Sequence, residues 1–516
     1  MRRANSNTSG IGISFFNHLG LHFLGLICLT STASTLNAQK KPNVLLIISD
    51  DLNTRIGPYM EIDDHTPQLD RLAREGVKFS RAYSQYPLCG PSRASFMSGL
   101  YPETNGIINN SYILGSYRKV NPALADHPSM AGFLREHGYY TARVSKIYHM
   151  GVPGGIETGE PGGDDPDSWD YAYNVLAPET LSQGELELLS PKNHHYGSNF
   201  ARMILADALE GTQADYLAAS QTIAILENRA GKAPEKGTNQ QKLKEDSPFF
   251  LAVGFVRPHV PFIAPENCYV PYKENDVILP PVTVGQNVPE EALRMTNEKG
   301  WGMNELQKRR TISSYMASVR FMDQQVGRLL DALDRLQLRE ETIVIFLSDH
   351  GYNLGEHNCW SKVSLWEGSV RSPLIISVPG KEYQKNHGKT CEAITELIDL
   401  YPTITELCGY SGGIPGILQG KSLARCVTGD ELAIPDAYAY TISRPENASI
   451  RTERYRYTRW GIEIKEGNEE LYDHANDPEE NVNLAANPEY REVISKMREK
   501  LVSIRSKSVL DIMKNN

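Results

Sequence analysis

The stretch that decides the fold is NVLLIISDD, residues 43–51, read together with its counterpart TIVIFLSDH, residues 342–350. Each is an apolar, β-rich run that stops abruptly at acid, Ser-Asp-Asp in one and Ser-Asp-His in the other. Runs of this length and composition read as buried strands. In parallel sheets, ligands sit at the carboxyl ends of strands. If these two strands are neighbours, Asp50, Asp51 and Asp349 converge with His350. Three carboxylates in one place repel unless a cation neutralises them. The pattern therefore predicts a hard ion such as Ca²⁺ or Mg²⁺, with His350 as an unusual extra ligand. Taken alone, Asp50-Asp51 reads equally well as a turn or helix cap; the repeated ending favours a metal.

Working outward, apolar β-rich runs alternate with helical stretches from Lys41 to about Pro379, the signature of an α/β fold around a largely parallel sheet. The clearest helix is SSYMASVRFMDQQVGRLLDALDRL, in which Met316, Val319, Met322, Val326, Leu329 and Leu333 recur every three or four residues and form a core stripe. Gly/Pro/Asp-rich residues 151–167 and Lys-rich residues 231–246 read as surface loops, the first of them a candidate wall for a substrate pocket. After GYSGGIPGILQGKS the texture changes to short strands, a turn-rich YDHANDPEEN and a final amphipathic helix near 488–505. This divides the chain into a leader (1–38), a catalytic domain (39–425) and a smaller C-terminal α+β subdomain (426–516). The leader has the parts of a secretory signal: Arg2-Arg3, the apolar LGLHFLGLICL, and small residues up to a cleavage point after Ala38. That run is too short to span a bilayer, and no later segment qualifies, so the mature protein is expected to be exported, periplasmic or extracellular, and free of membrane.

A net charge of −10, from 53 basic and 63 acidic side chains with no basic block, argues against nucleic acid as a partner. An anionic substrate would have to be met by a few placed cations. Seven cysteines are too few for a disulfide scaffold; outside the leader and Cys89, five remain, enough for at most two bridges, and none has metal-ligand spacing. Two further strand-like runs end in cationic or titratable groups. YYTARVSKIYH delivers Lys146 and His149, FFLAVGFVRPH delivers Arg257 and His259, and Lys362 follows Asp349 in the next loop. Each alone is an ordinary solvated side chain. One divalent cation with two lysines and two or three histidines is, however, what an oxyanion-transfer reaction requires.

Residues 88–99, LCGPSRASFMSG, place a cysteine at the mouth of a short helix, with Pro91 in its first turn and Gly99 as its stop. A helix start attracts anions and lowers a thiol pKa, so Cys89 reads as a thiolate nucleophile or as an inert buried thiol. Cys89, Pro91, Ser92 and Arg93, with Gly99 downstream, resemble the type I sulfatase signature Cys-x-Pro-Ser-Arg. The resemblance runs through LLIISDDLN, PQLDRLAREGVKF, FFLAVGFVRPHVPF, SDHGYNLGEHNCWSK and ELYDHANDPEEN, almost the whole mature chain. Within the family it is most similar to the iduronate 2-sulfatases, through the Asp-His ending and the Lys-x-x-His spacing of Lys146 and His149.

The resemblance implies an alkaline-phosphatase-like fold: a large mixed, mostly parallel sheet sandwiched by helices. It implies that a formylglycine-generating enzyme converts Cys89 to formylglycine, whose hydrate is the nucleophile, and that Asp50, Asp51, Asp349 and His350 bind Ca²⁺ together with residue 89. Arg93 would hold the hydrate, and Lys146, His259 and Lys362 would contact the sulfate. His259 would be the acid for the leaving alcohol and His149 the base for the second hydroxyl. The substrate implied is a sulfated polysaccharide or oligosaccharide, with 2-O-sulfated uronic acid first and other algal or host glycan sulfates second. The sequence departs from the family at Leu100, where an arginine is usual. Rival readings are a phosphoesterase of the same broad fold, for which a second metal cluster and a Ser or Thr nucleophile are missing, and an inactive glycan-binding relative. Sugar contacts are expected from residues 151–200, residues 352–366 and the C-terminal subdomain. Tyr352, Trp360 and Trp366 are candidate platforms or packing residues. Asn109 and Asn447 begin glycosylation sequons.

Overall fold

The computed structural model describes residues 40–60, 65–190, 200–232, 247–281, 285, 287–293, 301–410, 412–429, 434, 437–465 and 467–513. The expected leader and most of the Lys-rich segment lie outside them. Lys41–Asn516 forms one compact unit. Its central sheet has eight strands: β1 Asn43–Asp50, β2 Val77–Tyr83, β3 Tyr140–Ser145, β4 Tyr171–Tyr173, β5 Phe249–Pro258, β6 Thr342–Ser348, β7 Arg371–Ser377 and β8 Thr390–Glu396. Their spatial order is β8-β2-β7-β6-β1-β5-β3-β4. Every pairing is parallel except those of β7, which runs antiparallel to both neighbours. The mostly parallel α/β expectation holds.

The apolar runs that announced β1 and β6 are continuous because both faces of the sheet are covered. Leu45 and Ile47 pack with Val344 and Phe346 in one core, while Val44, Leu46 and Ile48 pack with Ile343, Ile345 and Leu347 in the other. The first face carries helices α1 (Pro67–Arg74), α3 (Ala214–Arg229) and α4 (Glu305–Arg335); the second carries α2 (Cys89–Ser98) and α5 (Leu400–Leu407). Helix α4 starts at Glu305 because Asn304 and Gln307 form a reciprocal capping box, and the expected stripe from Met316 to Leu333 is buried.

The C-terminal segment forms an antiparallel meander of β9 (Ala439–Ile442), β10 (Ala448–Arg451), β11 (Tyr455–Arg459) and β12 (Glu469–Asp473). Helix α6 (Arg491–Met513) lays Ile494, Met497, Leu501 and Ile504 into the same core as Tyr440, Ile450 and Leu471. The meander is tied to the end of β2: Ile442 N–H donates to the Gln85 carbonyl at 3.0 Å and Thr441 Oγ1 to the Ser84 carbonyl at 2.6 Å. Among the described residues Cys89, Cys268, Cys359, Cys391, Cys408 and Cys426 are buried and none is joined in a disulfide, which stays within the ceiling of two bridges.

A buried acid pair sits at this junction. Glu396 accepts from Tyr440 N–H at 2.8 Å and Tyr101 Oη at 2.9 Å, and its own N–H donates to Asp399 at 2.9 Å. Burial, then the charge of Asp399, pushes Glu396 up to about 8, and burial pushes Asp399 up to about 6. Both groups bind protons more tightly folded than unfolded, where carboxyls titrate near about 4. Their contribution to stability is therefore full below about pH 4 and is lost as pH rises through 6 and 8. Glu396→Gln, which keeps the neutral shape, is expected to flatten the fall in melting temperature between pH 5 and 8, worth on the order of a few kcal/mol. An unchanged slope in thermal melts across that range would count against this assignment.

Candidate active site

Strands β1 and β6 run level, with Ser49 opposite Ser348, so the residues that follow emerge side by side. The two turns are laced together. Asp51 N–H donates to Asp349 Oδ1 at 3.2 Å, Leu52 N–H to Ser348 Oγ at 2.9 Å and Asp349 N–H to the Ser49 carbonyl at 3.3 Å. Tyr315, on α4, supports the turn from beneath: its hydroxyl donates to the Asp51 carbonyl at 2.9 Å and accepts from Asn53 N–H at 2.8 Å. Its ring stacks on Tyr352 with centroids 5.4 Å apart. Tyr315→Phe strands two buried backbone groups and is expected to cost about 2–3 kcal/mol, read by denaturant unfolding. A change below about 0.5 kcal/mol would show that the turn holds itself.

Helix α2 begins at Cys89 itself, two residues ahead of Pro91, where the sequence suggests a start, and ends at Gly99, whose φ of 71° is the left-handed cap that glycine supplies without strain. Gly90 N–H in its first turn donates to Asn110 Oδ1 at 2.9 Å. Cys89 is fully buried, with Sγ 3.0 Å from Lys362 Nζ, 3.4 Å from His350 Nε2 and 3.8 Å from Asp51 Oδ1. One turn on, Arg93 Nε donates to Asp349 Oδ2 at 2.8 Å, Nη2 reaches Asp50 Oδ1 at 3.4 Å, and Nη1 donates to the Lys146 and Ile147 carbonyls. Arg93 thus clamps three strand ends at once. Leu100, in place of the family's arginine, is buried in an apolar cluster with Ala94, Ile107, Tyr117 and Leu124.

The remaining expected residues arrive from three other directions. Lys146 follows β3 and places Nζ 2.5 Å from Asp50 Oδ2; Lys362 places Nζ 2.5 Å from Asp51 Oδ1. His259 lies past β5: its Nδ1 donates to the Val260 carbonyl at 2.6 Å, leaving Nε2 3.8 Å from Asp51 Oδ2. His149 faces Tyr112, with Nε2 3.3 Å from the hydroxyl, while its Nδ1 is buried without a partner. Gly163 N–H donates to the His149 carbonyl at 2.8 Å, so the 151–167 loop does back the site. The backbone is strained where it presents these groups. Asp51 (φ 64°), Ser145 (62°), Ser361 (76°) and Val363 (77°) are left-handed non-glycine residues, a conformation costing roughly 1–3 kcal/mol each. Gly254 is required for the same reason of access, since a Cβ there would lie 1.9 Å from the Lys146 carbonyl.

Not every strand-end candidate joins the cluster. Arg257 is spent on Glu179 at 2.8 Å and on the Ile263 carbonyl. Tyr352, Trp360 and Trp366 are buried and pack rather than offer platforms: Trp360 meets Phe200, and Trp366 stacks on His357 and donates to Glu470 at 3.1 Å. Sequence reasoning missed Tyr315, Tyr112 and Asp215, which caps Val256 and Arg257 N–H at 2.7 and 3.1 Å and so holds the turn toward His259. None of them stands in a motif or at a strand end.

Three carboxylates here face three fixed cations. Burial works against the charge on Asp50, but Lys146, His259 and Arg93 overcome it and hold Asp50 well below the usual carboxylate range; for Asp51, burial is likewise overcome by Lys362 and His259, which lower it from the ordinary value. Burial and Asp50 oppose a Cys89 thiolate, yet Lys362 and Lys146 bring its pKa down. His350, despite burial, is raised to about 9 by Asp349 and Cys89. Burial, then Lys146, drives His149 down to about 2, so it is neutral. The set fits a hard cation. Donor atoms of Asp50, Asp51, Cys89 and His350 all lie within 4.8 Å of one another, and buried Asp51 Oδ2 has no hydrogen-bond partner. His350 Nδ1 donates to the Gly351 carbonyl at 2.8 Å, which turns Nε2 inward. Asp349 sits at the edge of this group, 3.7 Å from His350 Nε2 and engaged by Arg93.

Comparison with known proteins follows the same outline. A family model described as Sulfatase matches residues 42–177 and 189–410, and one described as N-sulphoglucosamine sulphohydrolase, C-terminal, matches residues 355–507. A sulfatase of Formosa agariphila is 30% identical over 466 residues, covering 89% of this chain and 86% of its own. The iduronate 2-sulfatase of Homo sapiens is 30% identical over 433 residues, covering 76% and 74%. The solved phosphonate monoester hydrolase from Silicibacter pomeroyi superposes with a TM-score of 0.70 at 21% identity, over 91% of this chain and 96% of that one, and testifies to the fold. Because the Sulfatase model spans well over half of the 516 residues and takes in every member of the cluster, the chain belongs to the sulfatase family of sulfuric ester hydrolases.

Proposed function

We propose that the protein is an exported, formylglycine-dependent sulfatase that removes sulfate from sulfated polysaccharides or oligosaccharides, with 2-O-sulfated uronic acid as its sugar. In this reading residues 39–425 are the catalytic domain, 426–516 the subdomain, and a leader is cleaved after Ala38. The observation that carries the proposal is the pair of buried ammonium groups beside residue 89, Lys362 at 3.0 Å from Sγ and Lys146 on Asp50. A sulfuryl group keeps negative charge throughout transfer, and preorganised cations in a dry site stabilise it more than water does. The iduronate 2-sulfatase relative supports the choice of sugar.

Asp50, Asp51, Asp349 and His350 would hold one Ca²⁺ together with residue 89, and this ion supplies charge neutralisation. A formylglycine at position 89, as its hydrate, supplies the nucleophilic oxygen and a second hydroxyl that lets sulfate leave. The chain's own residues do the rest. Arg93 would hold the hydrate, while Lys146, Lys362 and His259 grip the sulfate oxygens. His259 Nε2, freed by the Nδ1 contact to Val260, would give the leaving alcohol its proton. His149, neutral and with a partnerless Nδ1, would accept the proton of the second hydroxyl; burial is the main cause of its weak basicity, and bound sulfate would relieve only the part that comes from the Lys146 charge. Sulfate release from disaccharides sulfated only at uronate O2 or only at glucosamine O6, by protein matured with a formylglycine-generating enzyme in Ca²⁺, tests the reading. Release from the first alone is expected. Release from the second alone would overturn the sugar assignment, and release from no sulfate ester by mass-verified formylglycine protein would overturn the activity.

A further inference from the structure

Tyr112 stands beside the catalytic cluster without belonging to a motif, a strand end or the apolar core. It lies in residues 106–115, a stretch without helix or strand that is pinned on either side of it. Gly90 N–H, in the first turn of α2, donates to Asn110 Oδ1 at 2.9 Å, and Gly115 N–H donates to the Asp164 carbonyl at 2.7 Å. The first anchor is the residue after Cys89; the second is in the 151–167 loop, which also holds the His149 carbonyl through Gly163. Between them the Tyr112 side chain is 58% exposed, yet its ring meets that of His149 edge-on at 5.1 Å and its hydroxyl lies 3.3 Å from Nε2. A ring so exposed buries too little apolar surface for packing to explain its place.

A neutral imidazole has one N–H and one lone pair, and the hydrogen bond made by one nitrogen decides which of the two the other carries. His149, kept neutral by burial and then by Lys146, is itself buried, and its Nδ1 has no hydrogen-bond partner among the described residues. If the tyrosine donated to Nε2, the imidazole proton would sit on Nδ1 as a buried N–H with no acceptor, an arrangement proteins avoid. If instead Nε2–H donates to Tyr112 Oη, Nδ1 keeps the lone pair and the phenolic proton turns to the solvent that the exposed ring already meets. The charges acting on the ring favour the second arrangement. Lys146, Lys362 and Arg93 outnumber Asp50, and a positive field prefers a lone pair to an N–H.

We infer that Tyr112 is a positioning residue for the base: its phenolic oxygen accepts the Nε2 proton of His149, fixes the tautomer and rotation of the ring, and holds the Nδ1 lone pair ready for a proton. The inference deepens the proposed function and rests on it for the role of His149, whereas the tautomer is a property of the chain as it stands. The proton would come from the second hydroxyl at residue 89, itself fully buried, so Nδ1 needs no exposed surface. As Nδ1 takes it, the C–O bond to the sulfate breaks, the sulfate carries off that bond's electron pair, and the deprotonated oxygen becomes the carbonyl. Tyr112 therefore acts on sulfate departure and leaves the earlier release of the alcohol alone, as the third group that orients a base.

The test is Tyr112→Phe, read in two ways; the exposed ring tolerates the exchange, and the melting temperature is expected to stay unchanged. Histidine-labelled protein with Cys89 unmodified is compared with the variant by side-chain ¹⁵N NMR, the His149 signals being those lost in His149→Gln. The parent is expected to carry its proton on Nε2 and a bare Nδ1, and the exchange to shift both nitrogens toward the mixed-tautomer average. A proton on Nδ1 in the parent, or identical signals in the variant, would overturn the inference. Matured protein is then followed on p-nitrophenyl sulfate, whose alcohol leaves readily. Tyr112→Phe is expected to lower kcat about tenfold. It should leave kcat/KM, which ends at alcohol release, within about twofold, and give a burst of about one p-nitrophenol per enzyme. Equal losses in kcat and kcat/KM with no burst, or an unchanged kcat, would also overturn it. If the parent does not hydrolyse p-nitrophenyl sulfate, the sulfatase reading fails, and the NMR comparison still decides the tautomer.

Discussion

Replacing Cys89 by alanine is expected to abolish sulfate release, lowering turnover by about four orders of magnitude or more, the scale seen when a covalent nucleophile is removed. Cys89 is the residue toward which Lys362, His350 and Asp51 all point, and it lies at the start of α2, where the helix dipole favours negative charge. The fold should survive. The side chain lost is small, and α2 keeps Phe96 and Met97 in the core and its Gly99 cap, so a penalty of about 1–2 kcal/mol is expected in denaturant unfolding. Sulfate release measured beside the melting curve separates the two effects. Residual activity above about 1% of the parent would mean that another group attacks the ester, and would remove residue 89 from the mechanism.

Lys362→Ala carries the second largest expected effect, a loss of about 10²–10³ in kcat/KM. Its ammonium bridges Asp51 and Cys89 inside the protein, where Asp51 first and then Cys89 overcome burial and hold its pKa well above the ordinary lysine value. It is charged at every working pH. The exchange removes a cation that the proposed mechanism places on the sulfate and leaves Asp51 with His259 and His350 as its nearest counter-charges. Lys362→Arg is not expected to restore activity. Ser361 and Val363, both left-handed, fix the direction of the side chain, and a planar fork cannot replace a point charge between a carboxylate and residue 89. Steady-state kinetics on a 2-O-sulfated disaccharide reads both variants. A loss confined to KM would make Lys362 a binding group that gives the transition state no special help.

The legibility of the site in the sequence differed from residue to residue. Asp50, Asp51, Asp349 and His350 were visible because double-sided burial makes β1 and β6 uninterrupted apolar runs, against which a polar ending stands out. Cys89 was visible through helix punctuation, proline early and glycine at the stop. Arg257 and His259 looked alike on paper, one residue apart at the end of β5. The buried Glu179 draws the arginine away, while the Val260 carbonyl orients the histidine inward. Tyr315 was invisible, being one aromatic residue in a 31-residue helix whose periodicity speaks only of core. The aromatic residues after β6 look like sugar platforms in composition and are interior packing in fact.

By itself, then, the chain's sequence determined the kinds of element, the mostly parallel sheet and the residue types at the strand ends, because these depend on local burial pattern and on backbone punctuation. Convergence was decided elsewhere. That Ser49 and Ser348 stand level, that Gly254 lets the Lys146 backbone approach, and that Lys362 reaches Asp51 across 311 positions of sequence are outcomes of strand register and helix docking. Those are set by the summed packing of both faces of the sheet, a non-local energy that no single stretch of sequence contains.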